Sequence, residues 1–125
     1  MKMKVMVVDD EPDILRLVEE MLGAEGYEVI GCLSGEECLN KVEKEKPKLI
    51  LMDIMMPGLN GWETTKKLKQ NPKTRQIPVA MLTVKYEKED KIRSFQDAKC
   101  DAYIVKPIDR KELVKVVRWL TEGVV

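Results

Sequence analysis

Three acids, one hydroxyl and one ammonium stand at the ends of short apolar runs. Val5-Met6-Val7-Val8 leads into Asp9-Asp10, and Leu49-Ile50-Leu51-Met52 into Asp53. Val79-Ala80-Met81-Leu82 leads into Thr83, and Ala102-Tyr103-Ile104-Val105 into Lys106-Pro107. Carboxylates crowded together repel one another unless a cation sits among them. Hard oxygen donors favour Mg2+ or Mn2+, with water completing the octahedron. Such a cation would also screen Asp53 from an incoming phosphoryl group. Lys106 offers a point charge for a phosphoryl oxygen, and the Thr83 hydroxyl can donate to another. This is a set of groups for phosphoryl transfer onto a carboxylate, a reaction that needs positioning and charge neutralisation more than covalent help.

These groups meet only if the chain brings the run ends together, and the pattern between the runs predicts that it does. Pro12 and Asp13 open a helical repeat through Ile14, Leu17, Val18 and Met21, which Gly26 stops. Residues 27–32 read as a strand. Ser34-Gly35-Glu36-Glu37 starts a second helix that ends before Pro47. A third helix is expected over 62–70 and a fourth, weakly patterned, over 87–97. Asp109 caps a last helix through Leu113, Val114, Val117 and Leu120, with Gly123 just beyond it. Five strands thus alternate with five helices. Strands that are apolar without polar alternation are buried on both faces, which predicts an α/β, doubly wound, five-stranded parallel sheet between helix layers. Right-handed crossovers leave few topologies, and ligands in such sheets bind beyond the carboxyl ends of the strands. Asp9, Asp10, Asp53, Thr83 and Lys106 would therefore share one edge. Taken singly, each has an ordinary explanation: Asp9-Asp10 as helix caps, Asp53 as a turn residue, Thr83 as a strand end, Lys106 as a solvated lysine. Those explanations do not account for all of them on one edge.

Composition excludes several classes. The 125 residues suffice for one domain with its own core, and 44% apolar with 35% charged residues argues against disorder. Lys+Arg and Asp+Glu both number 22, so the zero net charge predicts no direct nucleic-acid partner and no attraction to anionic membranes. No apolar run approaches the roughly 20 residues of a membrane span. The N-terminus lacks the apolar stretch of a signal peptide, so the expected location is cytoplasmic. The absence of histidine removes Ser-His-Asp and Cys-His catalysis and most zinc sites. Cys32, Cys38 and Cys100 form no CxxC pair and read as packing residues.

Asp9-Asp10, the stretch Asp53-Ile54-Met55-Met56-Pro57-Gly58-Leu59-Asn60-Gly61, Thr83, and Asp101-Ala102-Tyr103-Ile104-Val105-Lys106-Pro107 closely resemble a response-regulator receiver domain of two-component signalling. The resemblance covers essentially the whole chain, residues 1–125, as a single receiver domain of the stand-alone, chemotaxis-regulator-like type. It implies a flavodoxin-like sheet in the order 2-1-3-4-5. It implies that Asp53 accepts the phosphoryl group. Asp10 and Asp53 would ligate Mg2+ directly with the backbone carbonyl of Met55, and Asp9 directly or through water. Thr83 and Lys106 would hold the phosphoryl oxygens, Tyr103 would be the aromatic switch coupled to Thr83, and the Lys106-Pro107 bond would be cis. Four positions are to be set against the family pattern. Lys99 stands where receivers usually place glycine. Val84 is bulkier than the usual small residue after the switch threonine. Met55 and Lys85 occupy the two variable positions that tune acyl-phosphate hydrolysis, and neither acts as an ordinary base toward water.

The expected function is a phosphorylation-activated switch. The phosphoryl donor would be a histidine kinase, in a Mg2+-dependent reaction in which the domain catalyses only its own phosphorylation and dephosphorylation. The output would pass to an unknown protein partner, the chain being a monomer or a phosphorylation-dependent homodimer. The output face would comprise the fourth helix, the last strand and the last helix. Its mixed charges are Lys85, Lys88, Lys91, Lys99, Arg110, Lys111, Lys115 and Arg118 among Glu87, Glu89, Asp90, Asp97, Asp101 and Glu112. An alternative is an unphosphorylated receiver-like interaction module with vestigial acids, against which the intact set of site residues argues. A flavin mononucleotide carrier would need a Ser/Thr/Gly-rich phosphate loop after the first strand, where Asp9-Asp10-Glu11 would repel phosphate.

Overall fold

The computed structural model describes residues 2–84 and 99–123. Five strands, β1 (Lys4–Val8), β2 (Glu28–Cys32), β3 (Leu49–Asp53), β4 (Val79–Thr83) and β5 (Ala102–Val105), form one sheet in the order β2-β1-β3-β4-β5. All four pairings are parallel. The described residues contain four helices: α1 (Pro12–Gly23), α2 (Gly35–Glu45), α3 (Gly61–Gln70) and a C-terminal helix (Arg110–Glu122). The fourth helix expected over 87–97, with Lys85, lies outside the described residues, so the count of five is not reached here.

Side-chain alternation along the strands builds two cores. Val5, Val7, Leu49, Leu51, Ala80 and Leu82 face α1 and the C-terminal helix, where Val18, Leu22, Leu113 and Val117 meet them. Met6, Val8, Ile50, Met52, Val79 and Met81 face α2 and α3, against Cys38, Val42 and Leu68. Both faces of β1, β3 and β4 are buried, which is why these strands carry no polar alternation. Trp62 packs against the second core, as does the ring of Tyr103. The three cysteines are free and buried; burial pushes the Cys32 thiol up to about 11 and those of Cys38 and Cys100 up to about 12. They are packing groups, unionised at neutral pH.

Local chemistry sets the helix ends. Ser34 Oγ accepts from the Glu37 amide at 3.0 Å, and Asp109 Oδ2 from the Glu112 amide at 3.1 Å. Gly123 closes the C-terminal helix with φ of 72°. The third helix begins at Gly61, one residue earlier than expected, because Asn60 and Glu63 cap each other reciprocally at 2.9 and 3.1 Å. The N-cap of α1 is Glu11, which makes no side-chain cap, and Asp9 and Asp10 precede it. Lys99 is left-handed, with φ of 60°.

Candidate functional site

The carboxyl ends of β1, β3, β4 and β5 place the expected groups together. Asp9 follows β1, its amide donating to the Cys32 carbonyl at 3.0 Å and its Oδ1 accepting from the Glu11 amide at 2.9 Å. Asp53 ends β3 and Thr83 ends β4. Lys106 follows β5, with its amide on the Thr83 carbonyl at 2.6 Å and a cis bond to Pro107. Asp9, Asp53, Thr83 and Lys106 are buried, Asp10 is exposed, and Met55 is 69% exposed.

The β3–α3 loop is pinned around Asp53. The Ile54 amide reaches the Leu82 carbonyl at 3.2 Å, and the Ile54 carbonyl accepts from the Gly61 amide at 2.9 Å. A Cβ at Gly61 would lie 2.2 Å from the Asp53 carbonyl oxygen, so only glycine lets α3 start this close to the strand end. A Cβ at Gly35 would meet Thr64 Oγ1 at 2.1 Å, and this close approach seats α2 beside α3.

The charges are crowded. Oxygens of Asp9, Asp10 and Asp53 all lie within 4.8 Å of one another. Lys106 Nζ donates to Asp9 Oδ2 at 2.7 Å and stands 3.5 Å from Asp53 Oδ1. Burial, and then the negative charge of Asp9, push the Asp53 carboxyl up to about 6 despite Lys106. Burial works against the Lys106 ammonium, but its bond to Asp9 and the charge of Asp53 outweigh that and hold its pKa above the ordinary lysine value. Among the described residues, one ammonium thus answers the two buried carboxylates, and none is paired with the third, at the surface. Three hard oxygen donors with excess negative charge fit a small divalent cation. Asp9, Asp10 and Asp53 are the residues that would hold it, with the Met55 carbonyl on the adjoining loop.

Tyr103 sits on β5, paired in register with Met81, and its hydroxyl oxygen is buried rather than at the surface. Val84 is 67% exposed beside Thr83. Several charges assigned to the output face are engaged elsewhere. Asp101 lies at the amino end of β5, where Oδ2 accepts from Lys69 Nζ at 3.1 Å and from the Val79 amide at 2.8 Å. Arg110 and Arg118 reach back to Glu25 at 3.2 and 2.7 Å. Lys85, Glu87, Lys88, Glu89, Asp90, Lys91 and Asp97 lie outside the described residues. Two positioning features escaped the sequence reading. Lys69 also donates to the Ile77 carbonyl at 2.8 Å, tying α3 to the starts of β4 and β5. Nothing local signals that role. The Asn60–Glu63 box, by contrast, was readable as an Asn-x-x-Glu pattern before a helix.

Residues 5–118 match the family model described as the response regulator receiver domain. The response regulator PleD of Caulobacter vibrioides is 39% identical over 97% of this chain, which spans about a quarter (26%) of that protein's length. Protein PilH of Pseudomonas aeruginosa is 33% identical, with 96% of this chain and 98% of PilH covered. Among solved structures, the receiver domain of sensor histidine kinase PA1611 from Pseudomonas aeruginosa superposes with a TM-score of 0.87. It is 27% identical, with 96% of this chain and 98% of that one covered, and holds a magnesium ion coordinated in its active site cleft. The match over nearly the whole length, together with the strand order and the grouped acids, places this chain in the response regulator receiver family.

Proposed function

We propose that this chain is a phosphorylation-driven signalling switch with Asp53 as the acceptor. An Asp53 carboxylate oxygen attacks the phosphorus of a phosphohistidine on a partner kinase. A P–O bond forms, the P–N bond breaks, and its electron pair leaves with the imidazole. The chain's own lack of histidine accords with a donor on another protein. Lys106 holds a phosphoryl oxygen, exchanging part of its present contact with Asp9, and the Thr83 hydroxyl holds another. Asp9, Asp10, Asp53 and the Met55 carbonyl hold Mg2+, which when bound neutralises charge between the carboxylates and the incoming group. The observation that carries this reading is the buried Asp53 within 4.8 Å of two further carboxylates and 3.5 Å from the Lys106 ammonium.

Movement of Thr83 toward the phosphoryl group would be coupled through the β4–β5 pairing to Tyr103, and from there to a face that includes β5 and the C-terminal helix. That face would bind a downstream protein in the cytoplasm or a second copy of the chain. The whole chain acts as one receiver domain. Incubation with acetyl phosphate and Mg2+, followed by intact mass, tests the proposal. A gain of one phosphoryl group that requires Mg2+ is expected; no gain would favour a module read by shape alone.

A further inference from the structure

A groove of about 790 Å³ lies at the amino edge of the sheet, between the end of α2 and the loop from α3 to β4. Its floor is apolar and buried, made by Val42, Pro47 and Ile77. Its rim carries three exposed lysines, Lys46, Lys48 and Lys73, against one carboxylate, Glu43. Glu43 lies 3.5 Å from Lys73 Nζ in a pair exposed on both sides, which contributes little stability and is readily exchanged. The chain as a whole is neutral, so this excess of positive charge is local. About 13 Å of strand separates Leu49, at the groove end of β3, from Asp53. An occupant here would leave the acidic cluster open.

We propose that this groove docks an acidic peptide segment of a partner protein, whose apolar side chain rests on Pro47 and Ile77 while flanking carboxylates pair with Lys46, Lys48 and Lys73. The bound segment takes over the Lys73 contact from Glu43. A basic rim around an apolar floor selects for acids that flank an apolar residue, and selects against basic or purely polar segments. Docking is independent of phosphorylation, because groove and acceptor lie at opposite ends of β3.

The test uses the full chain, isotope-labelled for NMR and free of Mg2+ and phosphoryl donor, so its outcome does not depend on the role of Asp53. The probe is a synthetic peptide, Glu-Asp-Leu-Phe-Asp-Glu with blocked ends. Chemical-shift changes should concentrate at residues 42–48 and 73–78 and weaken with salt. Lys46→Glu or Lys73→Glu should lower affinity at least about fivefold, whereas Glu43→Gln should tighten binding by about twofold. Arg16→Glu, an equal charge change on α1 across the sheet, should leave affinity within about twofold. Serine in place of the Leu-Phe pair should abolish binding. Each variant's spectrum outside the groove reports that it is folded. The proposal is overturned by shifts scattered over the surface or absent, by equal losses in Arg16→Glu and Lys46→Glu, or by inorganic phosphate reproducing the same shifts. Dimerisation of the chain through these residues would equally overturn it.

Discussion

Lys106 and Asp9 are 97 residues apart in sequence, yet the ammonium donates to Asp9 Oδ2 at 2.7 Å with both side chains buried. This contact makes the acidic site tolerable without a metal. A buried pair that loses one partner leaves an uncompensated charge, which typically costs about 3–5 kcal/mol. Lys106→Met should therefore destabilise the metal-free chain by about 3 kcal/mol, the lower end because Asp53 can protonate. Urea unfolding of Lys106→Met, Asp9→Asn and the double variant would measure this. The double variant should be less destabilised than the sum of the singles by at least about 1 kcal/mol. Strict additivity would show that the pair is not coupled. Saturating Mg2+ should also stabilise Lys106→Met more than the unaltered chain.

Asp10 contributes to the same cluster from an exposed position, so its removal should leave the fold intact while weakening the metal site. Asp10→Ala is expected to lower Mg2+ affinity by at least about tenfold, with unfolding by urea little changed. Calorimetric titration with Mg2+ measures it. Unchanged affinity would place the cation elsewhere.

Gly61 lets α3 begin against the Asp53 carbonyl, which a Cβ would approach to 2.2 Å. Gly61→Ala should cost about 1–3 kcal/mol through forced displacement of the β3–α3 loop. It should also slow phosphoryl uptake from acetyl phosphate, because that loop carries Met55. A variant with normal stability and normal uptake would show that the close approach is not needed.

The sheet and the site were legible because they rest on the same signal. A run such as Leu49-Ile50-Leu51-Met52 is apolar on both faces only in a buried parallel strand, and the polar residue that ends it must lie at the sheet edge. β2, at the sheet edge with Glu28 exposed, lacks that signal and was placed one residue early, at Tyr27. Tyr27 is instead a buried anchor whose hydroxyl bonds Thr121 and Glu122 on the C-terminal helix. Charge partners were not legible. Asp101, Arg110 and Arg118 look alike as surface charges, and only the folded chain brings Asp101 to Lys69 and the two arginines to Glu25. Those pairings depend on side-chain direction across distant elements, which periodicity does not encode.

Lys99 was legible as a strained substitution, and its φ of 60° makes it one. A left-handed lysine costs about 1 kcal/mol relative to glycine at such a position. Lys99→Gly should raise stability by about that amount, seen as a higher urea midpoint with an unchanged slope. A lower midpoint would mean that the lysine side chain makes a compensating contact.

Trapping the acyl phosphate tests the assignment of Asp53 most directly. The chain would be incubated with acetyl phosphate and Mg2+, treated with sodium borohydride, digested and mapped by mass spectrometry. Borohydride reduces an aspartyl phosphate to homoserine and leaves free carboxylates unchanged. Homoserine at position 53 alone, lost in the Asp53→Asn variant and without Mg2+, is the result expected. Homoserine at Asp9 or Asp10 in place of Asp53, or none at any position, would contradict the account.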